Sequence, residues 1–76
     1  MEPIGDRVRW ARERVGLTLD GLSKASGLSI AALHRIETGA AKPRPTTTRK
    51  LATALGVRLE WLTVGEMPPV EKGGNE

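Results

Sequence analysis

The chain contains no cysteine, no phenylalanine and no tyrosine, only two tryptophans and a single histidine. Without thiols there is no disulfide to staple the fold and no thiolate metal site. His34 has no cysteine or second histidine with which to share an ion, so neither a metal centre nor a cofactor is expected. The same poverty leaves Ser23, Ser26 and Ser29 without a positioned base or an oxyanion site, and an enzyme is not expected. Scarce aromatics put the core on Leu, Ile, Val and Ala. No apolar run approaches the roughly 20 residues of a membrane span, and "MEPIGDRVRW" lacks the apolar stretch of a signal peptide. A soluble, cytoplasmic protein is the expectation.

Seventy-six residues are enough for one small domain with a single modest core. The net charge of +3 hides a segregation. Residues 1–59 carry eleven Lys and Arg against five Asp and Glu, net +6, whereas residues 60–76 carry one Lys against four Glu, net −3. A basic body is either a solvated surface or a face for a polyanion. Charge alone does not separate the two.

Hydrophobic spacing predicts an all-α chain of short helices. Ile4, Val8, Ala11 and Val15 form one stripe of a first helix ending at Gly16, with Arg7, Arg9, Trp10 and Arg14 off the stripe. Thr18 is an N-cap for a second helix running to Ser26, with Leu22 and Ala25 inward and Gly27 as its stop. Gly21 occupies the position where a glutamate would close a capping box, and inside a helix it costs about 1 kcal/mol relative to Ala. Ser29 caps a third helix that stops at Gly39. Leu33 and Ile36 set its inner face, so Ile30, Ala31, His34, Arg35 and Thr38 point outward. "AAKPRP" reads as a loop, Pro45 opens a fourth helix, and Leu51, Ala54 and Leu55 line it, with Thr48 a weaker member, up to Gly56. Arg58 to Val64 makes a last short helix with Leu59 and Leu62 inward. Residues 1–65 form the domain, and 66–76, "EMPPVEKGGNE", has the composition of a disordered acidic tail.

Leu19 to Ile36 carries the most information: two short helices joined at a glycine turn, with Ser23 small where the backbones approach. By itself this pattern fits either a helical hairpin or a helix-turn-helix. With its flanks the unit shows landmarks in one order: an amphipathic first helix with Arg12, "GLTLDGLSKASGLS" as helix two and its turn, "RIETG" closing helix three, "KP" in the loop, and "KLATALGV" followed by "WLTVG". Over residues 4–65 the chain resembles the lambda-repressor-like helix-turn-helix family of the Cro/repressor or Xre type.

The resemblance implies a compact bundle of five helices that binds double-stranded operator DNA as a homodimer, with helix three in the major groove. A regulator of this kind is cytoplasmic and nucleoid-associated when bound. By position, Thr18 and Leu19 open helix two at the phosphates, and Ser29, Ile30 and Ala31 open the reading helix. His34 and Arg35 follow one turn on, and Lys42 and Arg44 in the next loop lie near the backbone. Arg12 and Glu37 form a structural ion pair. Val57, Arg58 and Trp61 are candidate dimer contacts, with core packing equally open for Trp61. Trp10 is either covered by Met67 and the tail or part of an interface.

The chain departs from the family where DNA is usually read. Leu19 and Ile30 stand where glutamine is frequent, and neither can bond phosphate or an adenine edge. Reading by apolar contact with thymine methyl groups, by arginine and by DNA shape is therefore expected. The rival reading is a protein-interaction adaptor that keeps the fold without base reading, and a further one within the class is an antitoxin that also binds a toxin.

Overall fold

The computed structural model describes residues 3–65 and Pro69. Five helices follow in order: α1 (Ile4–Arg14), α2 (Leu19–Ser26), α3 (Ile30–Thr38), α4 (Pro45–Leu55) and α5 (Leu59–Val64). Among the described residues there is no strand. The expected tail at 66–76 lies outside them except for Pro69, whose carbonyl accepts a 2.7 Å hydrogen bond from the Arg58 amide.

Local chemistry sets the boundaries. The hydroxyl oxygens of Thr18 and Ser29 accept from the amides of Gly21 and Ala32, both at 3.0 Å, satisfying donors that the first turns of α2 and α3 leave open. Gly27 and Gly39 end these two helices at φ 80° and 87°, where a side chain would be strained. Pro45 takes the first position of α4, where no amide hydrogen is needed.

Each helix sends a large, wholly buried side chain to a common centre: Val8, Leu22, Leu33, Leu51 and Leu62 are all 0% exposed. Burying such a side chain is worth roughly 1.5–3 kcal/mol. Helix α1 packs on α3, α4 and α5, while α2 packs on α3 and α4. Ala11, Ile36, Ala52, Leu55, Val57 and Trp61 complete the core. Trp61 thus packs inside the domain, 6% exposed, and Val57 is 9% exposed.

Four expectations from the helical stripes are corrected. Val15 is exposed, because α1 stops at Arg14. The chain then reverses at Gly16, and Leu17 packs on the core in its place, its amide bonding the Arg12 carbonyl at 3.0 Å. Ala25 is exposed, since α2 faces its neighbours mainly through Leu22. On α4 the expected inner face omits Ala52, which is buried with Thr48, while Ala54 is half-buried and packs against the core from its edge. Arg7, expected among the off-stripe cations, is 5% exposed. It lies one turn from both Ile4 and Ala11, and its guanidinium bonds the last carbonyls of α5.

Candidate nucleic-acid interface

A helix can read a surface only if it is held by one side and bare on the other. Leu33 and Ile36 anchor α3 in the core, and Glu37 is gripped from α1. Arg12 donates through Nε to Glu37 Oε2 at 2.7 Å and through Nη2 to Glu37 Oε1 at 3.1 Å, a two-pronged fork. Its Nη1 also bonds the Leu17 carbonyl at 2.9 Å, just ahead of the Thr18 cap. One guanidinium therefore joins the start of α2 to the end of α3. The bond to Glu37, with the nearby charges of Glu37 and Glu13, outweighs the effect of burial and raises the pKa of Arg12 above its usual range.

The bare side of α3 holds Ile30, Ala31, His34, Arg35 and Thr38, all exposed. Ile30 is 44% exposed, a large aliphatic group kept in water. Beside this face lies a shallow cleft of about 340 Å³, bordered by Arg35 from α3 and by Lys42, Arg44 and Thr47 from the loop and α4. No acidic residue lines it. The loop is led there by the Ala41 amide, which bonds the Arg35 carbonyl at 3.0 Å. Three cations from two segments thus border one concave strip, a local field suited to phosphate.

The cap residues Thr18 and Ser29 stand exposed at the starts of α2 and α3 with their oxygens already engaged by amides. Each hydroxyl keeps a proton to donate. Leu19 is half-buried and packs against the core. What the start of α2 offers outward is therefore its polar backbone and Thr18. Asp20 there pairs with Lys24 at 3.2 Å on the surface.

Residues 3–61 match the model of the helix-turn-helix domain family. The chain belongs to that family. The helix-turn-helix domain is 43% identical over 63 residues to the HTH-type transcriptional repressor RghR of Bacillus subtilis, a match covering 82% of this chain and 47% of that protein. The chain thus spans about half the length of that relative. It is 32% identical to the restriction-modification controller protein C.AhdI of Aeromonas hydrophila, with a TM-score of 0.75, covering 78% of this chain and 89% of the other. The DNA-binding domain of the P22 c2 repressor superposes with a TM-score of 0.81 over 92% of each chain at 23% identity, a likeness of fold.

Two features of the helix-turn-helix domain escaped the sequence pattern. Gly5 is buried where α1 crosses the end of α3: a Cβ there would collide with the Ile36 carbonyl oxygen and stand 3.0 Å from that of Glu37. Its signal was a glycine one turn before Val8 on the core stripe. Trp10, 37% exposed, rests on Trp61 at 5.4 Å between ring centroids, with the Arg14 guanidinium 5.8 Å from its own ring centre. The suggested cover by Met67 lies outside the described residues.

Proposed function

We propose that this domain is the DNA-reading part of a transcriptional regulator, in its simplest form a repressor that occupies an inverted-repeat operator as a homodimer. The carrying observation is the bare face of α3 beside the acid-free cleft of Arg35, Lys42 and Arg44. The names of RghR and C.AhdI support the regulatory reading. With α3 in the major groove, Ile30 and Ala31 meet thymine methyl groups, Arg35 and His34 reach a base edge or phosphate, and Lys42, Arg44 and the cap hydroxyls of Thr18 and Ser29 hold the backbone. The second copy docks on the outer side of α5, beside the exposed Val64 and the half-buried Arg58, whereas Val57 and Trp61, candidates for the same contact by sequence, are taken up by the domain's own core.

Selection from a randomised duplex library at near-physiological salt tests this directly. Two half-sites in inverted orientation, about one helical turn apart, are the expected yield. Arg35→Ala is expected to change the recovered bases, at about 1–3 kcal/mol for a lost base contact. Lys42→Ala is expected to weaken all duplexes alike and to lower the salt slope by about one unit. Identical effects of both on every sequence would remove Arg35 from the reading role. Ile30→Gln is expected to bring adenine preference to one base pair, and an unchanged site would show that Ile30 does not face the bases.

The adaptor reading is favoured by one observation, the exposed aliphatic Ile30 where a base-reading amide is usual in the family. Recovery of nothing beyond salt-sensitive general binding would decide for it.

A further inference from the structure

Helix α1 lies between the reading helix and α5 and is joined to each by buried polar or backbone contacts. On the α3 side are the Arg12–Glu37 fork and the close crossing of Gly5 under the Ile36 carbonyl. On the α5 side, Arg7 Nε donates to the Leu62 carbonyl at 2.8 Å and Nη2 to the Thr63 carbonyl at 3.0 Å. Gly65, at φ 77°, closes over that guanidinium so tightly that a Cβ would lie 2.9 Å from Nη1. Trp10 on Trp61 is the second contact of the same joint.

Arg7 is 5% exposed, so none of this serves the solvent. Five donors in a rigid plane suit it to hold two successive carbonyls at a fixed angle, which the single point charge of a lysine does not do. The helix end it covers is also the negative end of α5.

We propose that Arg7 is a positioning residue that fixes the angle between α3 and α5, and through it the separation of half-sites that the dimer accepts. The inference rests on the dimeric reading above. In a two-fold complex that pairs through α5, one path from reading helix to reading helix runs α3, α1, α5 in one copy and returns through the same elements in its partner, beside the packing of α4 on α5; of the two it is the one with the polar ties described above. It crosses the Arg7 joint twice. Adding or removing one base pair rotates and shifts one half-site, and the dimer must bend at its softest joints to follow. A stiff joint turns that bend into lost affinity; a loose one tolerates it.

The test uses the selected operator, its variants with the spacer one base pair longer or shorter, and an isolated half-site. Binding is measured for the unaltered chain, Arg7→Gln and Arg7→Lys. The unaltered chain is expected to lose about tenfold in affinity on either spacer change, Arg7→Gln about threefold or less, and Arg7→Lys an intermediate amount, with half-site affinity the same for all three. Arg7→Gln retaining the full tenfold preference overturns the proposal. So does a variant that loses the half-site and every spacing in parallel, the mark of a merely structural role. Should Arg7→Gln not fold, Trp10→Ala loosens the same joint from its exposed side, and an undiminished spacing preference there overturns the proposal equally. An unaltered chain indifferent to spacing would fell the dimeric reading and the proposal together, a result visible before any variant is made.

Discussion

Arg12→Ala is expected to lower the unfolding free energy by about 3–5 kcal/mol, because it strands a buried carboxylate. The side chain of Glu37 is only 7% exposed and that of Arg12 14%, so water replaces the lost fork only in part. The Leu17 carbonyl loses its partner in the same step. A domain of this size has about 4–11 kcal/mol of stability in all, which makes the loss a large share of it. Thermal unfolding is expected to fall by at least about 12 °C, and urea titration gives the free energy directly. Replacing both partners with apolar groups, Arg12→Met with Glu37→Leu, is expected to recover most of the loss, since desolvation of two charges goes with the pair. A single-variant loss under about 1 kcal/mol would place the pair with ordinary surface bridges such as Arg9–Glu13.

The parts of the fold legible in the sequence are those whose causes lie within a few residues. Thr18 and Ser29 bond amides three residues on, Gly27 and Gly39 stop the helices they follow, and Leu33 with Ile36 orients the exposed face of α3. The exposed set from Ile30 to Thr38 follows from that wheel alone. Long-range partners were not legible. Arg7 sits on the core side of α1 but its acceptors lie 55 and 56 residues away, so the pattern could show only a cation beside the stripe. Val15 continues the spacing of Ile4, Val8 and Ala11, yet the reversal at Gly16 hands its place to Leu17. In the site, exposure could be anticipated, but the meeting of Arg35 with Lys42 and Arg44 depends on the path of the loop, which the Ala41 amide sets.

Glycines in two helices separate local propensity from packing with the greatest contrast. By propensity alone, alanine at either Gly5 or Gly21 stabilises its helix by about 0.4–1 kcal/mol. At Gly5 packing reverses the sign. A methyl group there is aimed at the Ile36 carbonyl oxygen, with the backbone of Glu37 close behind, and neither can swing aside as a side-chain tip would. Helix α1 must move off α3, which opens the core around Val8 and Leu33 and pulls on the Arg12–Glu37 fork. Gly5→Ala is therefore expected to destabilise by about 2–3 kcal/mol, and Gly5→Val by more. At Gly21 the new methyl would stand 3.1 Å from Leu17 Cδ2 and 3.4 Å from Thr18 Oγ1. The nearer atom is the end of a rotatable side chain, so Gly21→Ala is expected to lie within about 0.5 kcal/mol of neutral, propensity offsetting the crowding. Urea titration of the two variants decides the matter: equal stabilisation at both positions would mean that α1 does not cross α3 as closely as the Gly5 contact requires. A loss confined to Gly5 would tie the angle of α3 to the one residue of α1 that has no side chain.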